Sequence, residues 1–138
     1  DNVLNTYATF VNSTELVTVS ATAATGTINY DTNTQSVVYY TSAAVGDWTI
    51  NFRASSGATL NSVIATGEAI TLVHLVTLTG SEYRNTVVQV DGSSITPEWQ
   101  GGSAPTEGNI NSIDSYAYTI IKTGDAAFTI LAALTQFA

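Results

Sequence analysis

The stretch Asp47-Trp48-Thr49-Ile50-Asn51-Phe52-Arg53 decides the fold class. Trp48, Ile50 and Phe52 alternate with polar residues, and a period of two puts all three large side chains on one face of a strand. The same period runs outward in both directions. Residues 16–21 predict a strand with Val17 and Val19 facing one way. Residues 27–30 and 36–40 predict two more, joined by the polar turn Asp31-Thr32-Asn33-Thr34. Residues 83–90, 116–121 and 128–134 continue the pattern. Turn signals recur between them at Thr25-Gly26, Gly46-Asp47, Ser56-Gly57, Gly80-Ser81, Asp91-Gly92 and Gly124-Asp125. Eight to ten short strands at this spacing predict an all-β fold, an antiparallel β-sandwich of jelly-roll type. A length of 138 residues fits one domain. We place it at 15–138, with 1–14 as a lead-in segment from a preceding shaft or domain. Leu4, Tyr7 and Phe10 recur every third residue in that lead-in.

Residues 68–78 differ from the rest. Ile70, Leu72, His74, Val76 and Leu78 form one face, and Ala69, Val73 and Leu75 form most of the other. A strand apolar on both faces is covered on both sides. One face meets the core of a sandwich, and the other calls for a neighbouring subunit. Ile70, Leu72, His74 and Val76 are therefore candidate interface residues. Tyr39 and Tyr40 point to opposite faces of one strand, so one of them lies outside the core, and both join the interface candidates.

Composition narrows the partners. The net charge is −8, and Arg53, Arg84 and Lys122 are the only cations besides any charge on His74. A phosphate-binding surface needs clustered cations, so nucleic acid is excluded as a partner. No apolar run approaches the about 20 residues that span a bilayer, so membrane insertion is not expected. Thr makes up about a sixth of the chain, while charged residues are 10% and hydrophobic ones 44%. A surface of Thr, Ser and Asn is common among secreted and virion β-proteins. There is no cysteine, which removes disulfides and thiolate metal sites. There is also no methionine, as expected of a processed piece or a domain of a longer protein.

No catalytic constellation is legible. The single histidine, His74, sits mid-strand among aliphatic residues and reads as a core or interface side chain. A ring of symmetry-related histidines sensing pH or binding metal is the alternative. A catalytic triad needs a marked nucleophile, and no Gly-x-Ser-x-Gly turn is present. Most carboxylates, such as Asp47, Glu82, Asp91 and Asp125, fall beside turn residues, where Asp caps its own backbone. Asp31-x-Asn33-x-Gln35 alternates oxygen ligands but lacks the glycine and distal glutamate of a calcium loop, so it reads as a turn. We assign no metal site, no cofactor and no enzymatic activity. The positive signal is aromatic. Residues 93–111 form a long irregular segment with Pro97, Pro105 and Trp99. Trp99 with Glu98 and Gln100, and Tyr83 with Arg84, have the ring-plus-hydrogen-bonder composition of a sugar-binding surface. The opposing reading has Trp99 anchoring the loop to the domain.

Several longer strings bear on identity. They are Val17-Thr-Val-Ser-Ala-Thr-Ala-Ala-Thr-Gly-Thr-Ile-Asn-Tyr30, Gln35-Ser-Val-Val-Tyr-Tyr40, Asp47-Trp-Thr-Ile-Asn-Phe-Arg53, Ile95-Thr-Pro-Glu-Trp-Gln-Gly-Gly-Ser-Ala-Pro-Thr106, Asp114-Ser-Tyr-Ala-Tyr-Thr-Ile-Ile-Lys-Thr123 and Phe128-Thr-Ile-Leu-Ala-Ala-Leu-Thr-Gln-Phe137. From about Glu15 onward the chain resembles a C-terminal domain that recurs in large virion structural and tail-fibre-like proteins of marine cyanophages with contractile tails. The Trp-Gln-Gly-x-x-Pro-Thr string and the closing Thr-Gln-Phe are the most specific parts. The resemblance implies a place on the virion surface and carries no catalytic residues. By analogy with phage fibres it implies a homotrimer, a jelly roll similar to the tumour-necrosis-factor fold, and a tip module engaged in host attachment to a cell-surface glycan or protein. The alternatives are a purely structural trimerisation or head/neck decoration domain without ligand, and a carbohydrate-binding module. A trimer of so acidic a chain has to hold by apolar, Thr and Tyr contacts.

Overall fold

Alternation becomes strand nearly everywhere it occurs. The computed structural model describes residues 7–138. Its elements are β1 (Val17–Ala23), β2 (Gly26–Asp31), β3 (Val37–Ala43), β4 (Trp48–Arg53), a single helical turn α1 (Leu60–Val63), β5 (Ala69–Leu78), β6 (Asn85–Val90), the short β7 (Ser93–Ser94) and β8 (Glu98–Trp99), and the long β9 (Ser112–Gly124) and β10 (Ala127–Phe137). Residues 7–16 form no regular element, and Tyr7, Phe10 and Val11 in them are exposed. Leu4 lies outside the described residues.

Two sheets pack face to face, which makes the domain an all-β sandwich. One has six strands in the order β1-β3-β5-β9-β10-β8, the other four in the order β2-β4-β6-β7. The strand directions correct the expectation of an antiparallel sandwich. β1, β3 and β5 pair in parallel, and so do β2, β4 and β6. Parallel neighbours need a crossover. Here the crossover is itself a strand, because the first six strands alternate between the sheets. The chain winds in three two-strand coils and then closes with the antiparallel β9–β10 pair, set against β5.

The core lies between the sheets. Trp48, Ile50 and Phe52 are fully buried, as the alternation of β4 requires. They meet Tyr30 from β2 and Tyr116 and Tyr118 from β9, with Phe52 edge-on to Tyr118 at 5.0 Å and Trp48 edge-on to Tyr116 at 5.5 Å. Lys122 also points inward, and its Nζ donates to the carbonyls of Asn61 and Ile64, which holds α1 against the sheet. The 31–35 segment is a turn, with Gln35 Nε2 donating to the Asp31 carbonyl and Arg53 Nε to Asp31 Oδ1.

The two outward faces contrast. On the four-stranded sheet, Thr27 and Thr49 align across β2 and β4, as do Asn29, Asn51 and Gln89 across β2, β4 and β6, and Asp31 with Arg53. Asn51 Nδ2 donates to Asn29 Oδ1 at 3.0 Å. This face is mainly polar, with Val87 beside Thr49 as its exposed aliphatic residue. On the six-stranded sheet, the row Val17–Val37–Val73–Ala117–Ala133 crosses five strands in register.

That geometry corrects the interface assignment within β5. Leu72, His74 and Val76 are buried inside the domain's own core, and Ile70 packs against that core. Leu72, His74 and Val76 are not available to a neighbour. Val73 and Leu75 point outward instead. Alternation shows that a strand has two apolar faces but not which one meets the second sheet. One of the two tyrosines lies outside the core as expected: Tyr39 turns outward, whereas Tyr40 turns inward, edge-on to His74 at 4.8 Å, and leaves the interface candidates.

Asp114 is a buried carboxylate that organises the approach to β9. It accepts from Asn109 N, Asn109 Nδ2 and Ser112 Oγ, all at 3.0 Å. Asp114→Ala leaves those donors without their charged acceptor. We expect a loss of about 2–4 kcal/mol in chemical denaturation, with faster amide exchange over residues 107–112. A loss under 1 kcal/mol would show that water replaces the carboxylate at no cost.

Candidate functional site

Trp99 sits on β8, the edge strand of the six-stranded sheet, in parallel register with Ala132 of β10. It is half-buried, with its ring 6.4 Å from those of both Tyr116 and Tyr118. Those two tyrosines stack at 6.3 Å and are fixed by Asn85. The Asn85 amide N–H donates to Tyr116 Oη, Tyr118 Oη donates to Asn85 Oδ1, and Asn85 Nδ2 donates to the carbonyls of Trp48 and Val87. Burial pushes both phenols above their ordinary range, so they are neutral hydrogen-bonding groups. Trp99 therefore rests on a rigid, fully paired floor.

Three clefts open around Trp99. The largest, about 580 Å³, lies between β6 and the 94–104 segment, and is lined by Arg84, Thr86, Ser94, Thr96, Glu98 and Trp99 among others. A second, about 400 Å³, runs along β10 beside Glu98, Trp99 and Gln100. A third, about 410 Å³, holds Gln100, Glu107 and Asn109. Four of the five proposed ligand-binding residues, Glu98, Trp99, Gln100 and Arg84, thus share one corner of the molecule. Tyr83 is half-buried against the core and does not line the large cleft. Its carbonyl backs onto Gly108, where any Cβ would collide with it, so glycine is required there for the loop to close. Arg84 Nε donates to the Thr106 carbonyl at 2.7 Å and its amide N–H to Asp47 Oδ1 at 2.9 Å, which pins the loop from the opposite side.

Hydroxyls, one cation, one carboxylate and an indole around a cleft suit a polyhydroxylated ligand, which takes directional hydrogen bonds at its edges and an aromatic face beneath. Thr86, Ser94 and Thr96 were not singled out from the sequence. Their signal was weak, since Thr and Ser are spread over the whole chain. A further cleft of about 550 Å³ lies between α1 and the 32–36 turn, lined by aliphatic side chains such as Leu60, Val63 and Ile64 together with turn residues. It offers no charged side chain to orient a ligand, so the Trp99 corner is the better candidate.

His74 lies elsewhere, in the core between Tyr40, Trp48 and Tyr116. Burial inside each domain rules out a shared ring of histidines at a surface interface. Among the described residues, no group of three or more His, Cys, Asp or Glu side chains is placed to hold a metal ion. No helix among them is long and apolar enough to cross a membrane. Neither a protein-family model, nor a curated protein, nor a solved structure matches this chain.

Proposed function

We propose that this domain is a structural and attachment module of a phage fibre-like protein, trimeric on the virion surface and presenting the Trp99 corner to a host-surface glycan. The observation that carries the binding part is the convergence of Arg84, Glu98 and Trp99 on one cleft above a rigid floor. The virion placement follows from the resemblance of the strings at 17–30, 95–106 and 128–137 to cyanophage fibre-like domains. Rigid β-sandwiches that position a loop site suit this work, because a preorganised site loses less entropy on binding.

The test is binding of the fluorescently labelled domain to marine cyanobacterial cells and to a glycan array. Glu98→Ala and Trp99→Phe are expected to weaken binding at least tenfold while leaving the fold intact. Glu98 is exposed, so its truncation has little effect on stability. A domain that binds no cell and no glycan would instead favour a purely structural role in trimerisation or head/neck decoration. The packing of Trp99 against Tyr116 and Tyr118 is the feature that favours this second reading.

A further inference from the structure

We propose that copies of this chain meet through the outward face of β1, β3, β5, β9 and β10, the six-stranded sheet without its edge strand β8, whose Glu98 stands beside Leu131 at the rim. The proposal deepens the reading above and rests on it only for the number of copies. The first observation is charge. β1, β3, β5, β9 and β10 together contain three acidic or basic residues, His74, Asp114 and Lys122, and all three are buried on the inward side. The outward face of these five strands therefore has no ionised side chain, in a chain that carries eleven carboxylates. The outward face of the other sheet is different: Thr, Asn and Gln in register, one valine, Val87, and an Asp31–Arg53 ion pair.

The second observation is shape. The row Val17–Val37–Val73–Ala117–Ala133 consists of small side chains in register, so the face is flat enough for another sheet to lie on it. Val19, Leu131 and Phe137 stand on or beside it at 65%, 47% and 59% exposure. The smaller cleft beside Trp99, lined by Ala117, Leu131 and Ala133, belongs to this face, so the contact covers it, while the larger cleft at β6 lies outside the five strands. The third is size. Five strands about 4.8 Å apart and about 25 Å long give a face of about 600 Å² in plan, of the same order as the about 800 Å² per partner of a stable interface.

Charge also selects the occupant. A strongly charged partner would lose hydration against a surface with no counter-charge. A second copy brings the same uncharged surface. For a chain of net charge −8, the five strands are also a face on which two copies approach with no carboxylate nearer than Glu98 at the β8 rim. The contact is then an apolar one of Val, Ala, Leu and Thr, as in homomeric interfaces generally.

The experiment is sedimentation velocity and light scattering on the 138-residue chain up to about 100 µM, above the micromolar-to-picomolar dissociation constants of standard-size interfaces. The wild type is expected to contain more than one chain per particle. Val73→Lys at the centre of the face and Leu131→Lys toward its side are each expected to weaken association at least tenfold. Thr27→Lys on the outward face of the other sheet is the control and is expected to leave association unchanged. Circular dichroism confirms that each variant is folded, and the exposed position of Leu131 keeps the test valid if Val73→Lys does not fold. A wild type that stays monomeric at the highest concentration overturns the proposal. So does an oligomer that survives Leu131→Lys and a folded Val73→Lys, or one that Thr27→Lys disrupts. Two chains per particle, dissociated by both face variants, supports the interface while removing the trimer from the reading above.

Discussion

Lowering the pH from 7.5 to 5 is expected to reduce the stability of the folded chain by about 2 kcal/mol through His74 alone. The cause is burial. His74 is enclosed by Tyr40, Trp48 and Tyr116, and its two ring nitrogens have no hydrogen-bond partner among the described residues. An imidazolium in that position loses its hydration and gains nothing in return, so its pKa is pushed down from 6.5 to about 3. The sign follows directly. Below pH 6.5 the unfolded chain takes up a proton that the folded chain refuses until about pH 3. Stability is therefore complete above pH 6.5 and falls by about 1.4 kcal/mol per pH unit down to about pH 3. Urea denaturation of wild type and a histidine-free variant between pH 5 and 7.5 isolates the histidine by difference. His74→Leu has similar volume and no ring nitrogens, and is expected to flatten the curve over that interval. Equal slopes for wild type and His74→Leu would mean that the folded protein accommodates the charge.

Trp48→Ala is expected to cost about 3–5 kcal/mol, enough to leave the domain marginal or unfolded at 25 °C. Trp48 is fully buried where the two sheets meet and touches His74 and Tyr116 edge-on. Its carbonyl accepts from Asn85 Nδ2 and Thr86 Oγ1, so its backbone is fixed and the cavity has little room to collapse. Loss then includes both the transfer of the indole and the void that remains. The indole N–H has no partner among the described residues, so Trp48→Phe removes an unpaired donor along with part of the ring. That variant is expected to fold and to cost less than half as much. Thermal and urea melts of the two variants check the ordering. A Trp48→Ala protein within 1.5 kcal/mol of wild type would show that the core repacks around the gap.

The folded structure returns different amounts of the sequence at different levels. The inward set Trp48, Ile50, Phe52 was legible because alternation is local: a side chain two residues away must share its face. The same logic found β9 and β10, although β9 begins four residues before the predicted strand. It missed α1, whose single turn Leu60–Val63 is too short to display a helical period. For the candidate site, the sequence supplied Glu98, Trp99, Gln100 and Arg84 through their residue types. It did not supply the hydroxyls of Thr86, Ser94 and Thr96, because a site distributed over β6 and a loop leaves no spacing to read.

The sequence by itself determined that this chain folds as an all-β sandwich with few charges, and which side chains share a face. Tertiary structure alone decided which face of β5 meets the second sheet. It turned His74 inward and left Val73 and Leu75 outside. It also decided that the first six strands wind in parallel coils. The reason is physical: alternation encodes the two faces of a strand, while strand direction and the choice of covered face depend on partners tens of residues away. β5 is apolar on both sides, so only the competition for the space beside Trp48, Tyr116 and Tyr118 could settle its orientation.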